Sequence, residues 1–153
     1  MKAVVQRVSS ASVSVDGEVV GAISKGLLVL VAAHREDTAE QAKRMADRVF
    51  GLRIFNDEGG KMNLALSEVD GSVLAVSNFT VYGETSKNRR PSFIEAAPYA
   101  EGETLFEAFV DALEERGCTV KTGVFGADMK VSLINDGPVT VVVEVRPTSS
   151  GQA

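Results

Sequence analysis

Apolar and polar positions along the chain follow two periods. From Ala3 to Ala33, AVVQRVSSASVSVDGEVVGAISKGLLVLVAA reads as several short strands. Val13 and Val15 alternate with Ser12 and Ser14, the period of two expected of a half-buried strand. Asp16-Gly17 then supplies a hairpin turn. Lys25-Gly26 precedes LLVLVAA, which is apolar on both faces and therefore predicts a central strand. The period changes over residues 38–50. There Ala42, Met45, Ala46, Val49 and Phe50 fall at spacings of three and four and form one helical stripe. Thr38 or Asp37 can cap this helix, with Gln41 placed three residues after Thr38. A second helix is expected over 104–116. Thr104 and Glu107 fit a capping box, Leu105, Phe106, Phe109 and Leu113 make the buried face, and Gly117 is the stop. NDEGGK at 56–61 reads as a loop and SVLAVSNFTVY at 72–82 as a strand. Three further strands are expected near 118–124, 129–134 and 139–146. Strands that come in runs, rather than in strict alternation with helices, predict an α+β fold with a largely antiparallel sheet.

Composition narrows this picture. The chain has 153 residues, enough for one domain with a proper core and no covalent staples. Its 44% hydrophobic and 24% charged content is ordinary for a globular protein. No apolar run approaches the ~18 residues that a membrane helix needs. Gln6 and Arg7 sit where a signal peptide needs an apolar stretch, so a cytoplasmic protein is expected. Cys118 is the single cysteine and His34 the single histidine, which argues against an internal disulfide and against a Cys- or His-rich metal site. The net charge of −5 argues against a broadly basic nucleic-acid binder. Yet Lys87, Arg89 and Arg90 lie within ETSKNRRPSF, a local basic loop able to grip phosphate.

Familiar catalytic parts are scarce. His34 could serve as a base, but its place between a strand and an acidic helix start suits an ordinary surface histidine. Cys118 begins an apolar strand, where burial is the simpler reading. There is no Gly-x-Ser-x-Gly elbow, Walker loop or GxGxxG. NDEGGKMN resembles a calcium loop only in composition, because its acid spacing is wrong. Two stretches remain. SNFTVYG, Ser77 to Gly83, places polar groups at the end of a Val-rich strand, where they are costly unless paired or used. It can be read as an ordinary strand end or as a site. INDGPVTVVVEV, Ile134 to Val145, opens a β-branched strand with Asn-Asp-Gly-Pro. Asp-Gly alone would suffice for a turn. The added proline fixes φ and removes an N–H, so the carbonyls of Gly137 and Pro138 are held in set directions. An enzyme built from these parts would not rely on side-chain acid–base catalysis.

Taken together, these segments resemble the D-aminoacyl-tRNA deacylases, also called D-tyrosyl-tRNA deacylases, over about 145 residues from MKAVVQRV to VTVVVEV. The family's Ser-Gln-Phe-Thr-Leu element appears as Ser77-Asn78-Phe79-Thr80-Val81. Its Asn-x-Gly-Pro-x-Thr element appears as Asn135-Asp136-Gly137-Pro138-Val139-Thr140. FGADMKVSLINDGPVT and NRRPSF also look like the family. The resemblance implies hydrolysis of the ester between a D-amino acid, or a mischarged glycine, and the terminal adenosine of tRNA. It implies a barrel-like curved sheet with two main helices, arranged as a single domain over 1–146 with a polar tail at 147–153. It further implies a homodimer with active sites at the interface, a cis Gly137-Pro138 bond, and entry of that motif into the partner's site. No metal or cofactor is called for, and no DNA or membrane partner. Ser77, Phe79 and Thr80 would line the catalytic pocket, with the Phe79 and Thr80 N–H groups as oxyanion donors. Asn78, Asn135, Gly137 and Pro138 would contact or frame the substrate. Arg7 would brace the Gly-Pro motif, Met129 would lie near the adenine, and Lys87, Arg89 and Arg90 would meet the acceptor stem. Asn78 stands in place of the family's usual Gln and is one methylene shorter. The alternatives are a non-catalytic RNA-binding module and a dimeric hydrolase of small metabolites.

Overall fold

Residues 2–15 contain neither proline nor glycine, and in the computed structural model they form one uninterrupted strand, β1 (Lys2–Val15). The structure describes residues 1–147, so the expected polar tail at 147–153 lies, Pro147 apart, outside the described residues. The Asp16-Gly17 turn takes positive φ at both residues, 51° and 82°, and returns the chain as β2 (Glu18–Ile23). β3 (Gly26–Ala32) pairs antiparallel with β1 on one side. On its other side it pairs parallel with β6 (Ser72–Ser77), so LLVLVAA is central as expected. Between them come α1 (Ala39–Gly51), the hairpin β4 (Phe55–Asn56) and β5 (Met62–Leu64), and the one-turn α2 (Leu66–Val69). A 3-10 turn (Phe79–Tyr82) and α3 (Tyr99–Glu115) lead to β7 (Val120–Thr122), which joins β6 in parallel. The last strand, β8 (Lys130–Glu144), runs antiparallel along nearly all of β1.

The sheet order is β2-β1-β3-β6-β7, with β8 on the free flank of β1. The pairings around β1 are antiparallel, and the two parallel steps are those bridged by helix-bearing crossovers. Gly21 lets the sheet curl almost shut, because a Cβ there would sit 2.5 Å from the Thr122 carbonyl oxygen, drawing β2 against β7. The result is a single domain with a nearly closed, barrel-like sheet. One core layer joins Val5, Leu27 and Val29 to Met45 and Val49 of α1 and to Phe109 and Leu113 of α3. A smaller one fills the inner face with Val8, Val13, Leu28, Leu74 and Val76.

Four expectations about elements need correction. The strand expected at 72–82 stops at Ser77, where Asn78 caps the 3-10 turn with its side chain. The second helix begins at Tyr99 rather than 104. Pro98 starts it, and Thr104 back-bonds to the Ala100 carbonyl at 3.2 Å inside the helix instead of capping it. The strand near 118–124 shortens to Val120–Thr122. The strands expected at 129–134 and 139–146 are one strand, β8, and Asn-Asp-Gly-Pro is an excursion within it. Gln6 pairs with Thr140 and Val8 with Asn135, so Arg7 alone stands opposite Asp136 to Val139.

Candidate active site

A cavity of about 750 Å³ opens where the carboxyl ends of β3 and β6 meet α3. Its inner wall is apolar, from Leu28, Leu30 and Val76, and Val131 and Leu133 of β8 close another side. Ser77, Asn78, Phe79 and Thr80 all line it, although an unbroken strand would have sent alternate residues to opposite faces. The 3-10 turn is the reason. Asn78 anchors its N–H on the Val31 carbonyl (2.9 Å), and its Oδ1 accepts the Thr80 N–H (3.2 Å) and hydroxyl (2.5 Å). This bends the chain so that four successive residues face one space. The Thr80 N–H is thereby engaged. The Phe79 N–H, at the first position of the turn, has no acceptor among the described residues and is left free to donate.

The far end of the cavity is aromatic. Phe106, Phe125 and Tyr99 line it, and Met129, also on the lining, packs against the inner-face core. Tyr99 and Phe125 stack edge to face at 5.0 Å. Gly126, at φ +76, makes room for the tyrosine, since a Cβ would lie 2.6 Å from its hydroxyl. None of these three aromatics stood out in the sequence as a site residue. Phe106 belongs to the helix's apolar stripe, and only its position on α3 turns it into the cavity. Among the described residues, Asp128 is the one carboxylate on the lining. Its side chain is 94% exposed and stands 3.8 Å from Lys130 Nζ. His34 is not on the lining. Its Nδ1 accepts the Glu36 N–H at 3.0 Å, which suits a loop-forming role. Cys118 is buried, and that burial pushes its thiol up from its ordinary range.

Gly137, Pro138, Asn135 and Arg7 are brought together, but away from this cavity. The Gly137-Pro138 peptide bond is cis, and Gly137 has φ +153. Asn135 clamps the excursion, its Nδ2 donating to the Arg7 carbonyl (3.0 Å) and to the Val139 carbonyl (2.9 Å). Arg7, only 7% exposed, donates from Nε to the Asp136 carbonyl at 2.9 Å. Gly137 and Pro138 themselves are exposed. The third group, Lys87, Arg89 and Arg90, is exposed on a loop closed at its base by Glu84 and Ser92, whose backbones exchange bonds of 2.8 and 2.9 Å. Phe93 then packs its ring edge to face on Phe79 at 5.2 Å, which ties the basic loop to the cavity mouth.

A family model described as D-Tyr-tRNA(Tyr) deacylase matches residues 4–144; the chain belongs to that family and is a hydrolase. A D-aminoacyl-tRNA deacylase of Geobacter sulfurreducens is 54% identical over 150 residues, covering 98% of this chain and 99% of its own. One from Thermotoga petrophila is 54% identical over 144 residues, covering 94% and 97%. The solved structure of a c-Myc DNA Unwinding Element Binding Protein superposes with a TM-score of 0.90 at 39% identity, covering 95% of this chain and 99% of that one. The structure of a probable eukaryotic D-amino acid tRNA deacylase gives 0.81 at 16% identity, covering 94% and 98%, a likeness of fold alone.

Proposed function

We propose that this protein hydrolyses the ester joining a D-amino acid to the terminal adenosine ribose of tRNA, accepts the glycyl ester, and spares the L ester. It works as a homodimer in which the Gly137-Pro138 motif of each protomer enters the cavity of the other. The observation that carries this reading is the separation of the two motifs. Gly137-Pro138 is rigidly clamped, exposed and outside the lining of its own cavity, as a device meant for another chain's site would be. The outer edge of β8 agrees, since among the described residues its only ladder is with β1, and Val131, Leu133, Ile134 and Val142 are exposed along it.

Within the shared site, the motif's carbonyls receive the substrate's α-amino group. An L side chain collides with the motif, whereas the hydrogen of glycine fits; rejection by collision separates mirror images better than attraction does. Ser77, Phe79 and Thr80 hold the ester, with the Phe79 N–H on the developing oxyanion. Met129 and the aromatic end take the adenine. Lys87, Arg89 and Arg90 meet the phosphates. An already activated ester needs positioned water and oxyanion stabilisation more than a side-chain base, and the ribose 2′-OH can assist, which selects RNA over DNA. Residues 1–146 form the working unit, in the cytoplasm. The test is to incubate the protein with D-tyrosyl-, L-tyrosyl- and glycyl-tRNA and follow ester loss, with sedimentation for the dimer. Cleavage of the D and glycyl esters alone is expected. Binding of tRNA without cleavage of any ester would leave an RNA-binding module.

A further inference from the structure

NDEGGKMN, Asn56 to Asn63, has the composition of a cation loop without its spacing, and the proposed reaction gives it no task. Its contacts supply one. The Arg7 guanidinium is nearly buried and must find acceptors there. Its Nε faces the motif, at the Asp136 carbonyl. Its Nη1 faces the β4–β5 hairpin, donating to the Ile54 carbonyl at 2.8 Å and to Asn56 Oδ1 at 3.2 Å. The Asp136 carboxylate lies 3.8 Å from Nε with its side chain 60% exposed, too far and too wet to set the guanidinium plane. The hairpin sets it. Among the described residues, Asn56 contributes the one side-chain oxygen that hydrogen-bonds the guanidinium.

The hairpin is itself braced. Asp57 Oδ1 accepts the Gly59 and Lys61 N–H groups at 2.9 and 3.0 Å, and its Oδ2 accepts Asn63 Nδ2 at 3.2 Å. Arg53 donates to the Asn63 carbonyl at 2.8 Å and to Asn63 Oδ1. An exposed turn of this kind does not need so many side-chain bonds to remain a turn. A strut does, because its tip must not move.

We propose that the β4–β5 hairpin is a positioning element for handedness: Asn56, acting through Arg7, fixes the angle at which Gly137-Pro138 is presented. The inference rests on the deacylase reading above. Asn56 touches no substrate. A D ester fits whether the motif is rigid or slightly loose, but an L ester is excluded only by a wall that does not yield. Loosening the strut therefore raises L cleavage more than it lowers D cleavage.

The experiment compares initial rates on D-tyrosyl- and L-tyrosyl-tRNA for the wild type, Asn56→Ala and Asn56→Asp. Asn56→Ala is expected to raise the L-to-D rate ratio about 10-fold, the share of one charge-assisted hydrogen bond, with the D rate within about threefold of wild type. Asn56→Asp keeps an oxygen acceptor toward Arg7 and is expected to restore the wild-type ratio. An unchanged ratio in Asn56→Ala, or an equal fall in both rates, would overturn the proposal. If Asn56→Ala does not fold by thermal melt, Asp57→Ala carries the test, since it loosens the hairpin tip without touching Arg7; the ratio must again rise. A wild-type protein that cleaves neither ester fails before any variant is compared, and that result counts against the deacylase reading itself.

Discussion

Replacing Gly137 by alanine is the sharpest perturbation the structure offers. A Cβ built on Gly137 lies 2.5 Å from the Val139 nitrogen and 2.7 Å from Val139 Cγ2. Ordinary contact begins at 3.4 Å, so the chain must give by 3.4 − 2.5, or about 0.9 Å. The backbone at φ +153 also disfavours any side chain, a cost of roughly 1–3 kcal/mol if the conformation is kept. Asn135 and Arg7 grip both ends of the excursion, so the displacement falls on Gly137 and Pro138 themselves. A misplacement of about 1 Å in a positioning element typically costs on the order of 100-fold in rate. Gly137→Ala is therefore expected to lower kcat/KM on D-tyrosyl-tRNA by about 100-fold, and the melting temperature by roughly 2–12 °C at about 2–4 °C per kcal/mol. Thr80→Ala loses a hydroxyl whose bond, to Asn78 Oδ1, is solvent-exposed, and should cost less than about 10-fold. Single-turnover deacylation with purified variants checks both. Near-wild-type rates in Gly137→Ala, or an equally large loss in a folded Thr80→Ala, would refute the reasoning and move the chemistry to the threonine.

Other outcomes follow from the same geometry. Arg7→Lys keeps a charge but not the fork that reaches three acceptors in different directions, and should lower the unfolding free energy by about 2–3 kcal/mol, read as a lower urea midpoint. Alanine at Lys87, Arg89 and Arg90 together should leave the melting temperature unchanged. It should reduce the slope of log affinity for tRNA against log salt by about 2–3, from about 0.9 per phosphate contact. Gly21→Ala should destabilise by about 1–3 kcal/mol, because its Cβ meets the Thr122 backbone where the barrel closes. Burial raises the Cys118 thiol above its ordinary value of 9.0 and raises the Tyr82 hydroxyl as well. The unfolded chain then loses these protons first. Stability from both groups is fully present below about pH 9 and declines as pH rises above it, so the urea midpoint should fall between pH 8 and 10, less steeply in Cys118→Ala.

What could be read in the sequence is what neighbouring residues decide. The Thr38 cap is one such case. The Thr38 N–H donates to Gln41 Oε1 at 2.7 Å, the reciprocal bond expected from a threonine and a glutamine three apart. The Asp16-Gly17 hairpin and the Gly117 stop, at φ +84, are others. The polar group after the Val-rich run draws the eye to Ser77 to Thr80, which line the cavity, but not to the turn that gathers them, which needs the Val31 carbonyl from another strand. The start of α3 was missed because its first residue follows a proline that offers no side-chain cap, while Thr104 imitates one further along. The unity of β8 was missed because an Asn-Asp-Gly-Pro run looks like an ending; only the uninterrupted β1 alongside makes it a bulge. The aromatic end of the cavity joins Tyr99, Phe106 and Phe125 from two distant segments, and no local pattern announces such a meeting.

The Gly-Pro excursion and the cavity hang on different parts of the fold. Arg7 of β1, Asn135 of β8 and the β4–β5 hairpin hold the first, while β3, β6 and α3 shape most of the second. Over evolutionary time these two parts are free to drift at different speeds. On the deacylase function proposed above, substitutions on the inner wall, at Leu28, Leu30 or Val76, can reshape the cavity while leaving the braces of the Gly-Pro excursion untouched, whereas changes around Arg7 reach the check on mirror image whatever the cavity has become. Acyl-group range would then be the adjustable trait of such a protein, and handedness the inherited one.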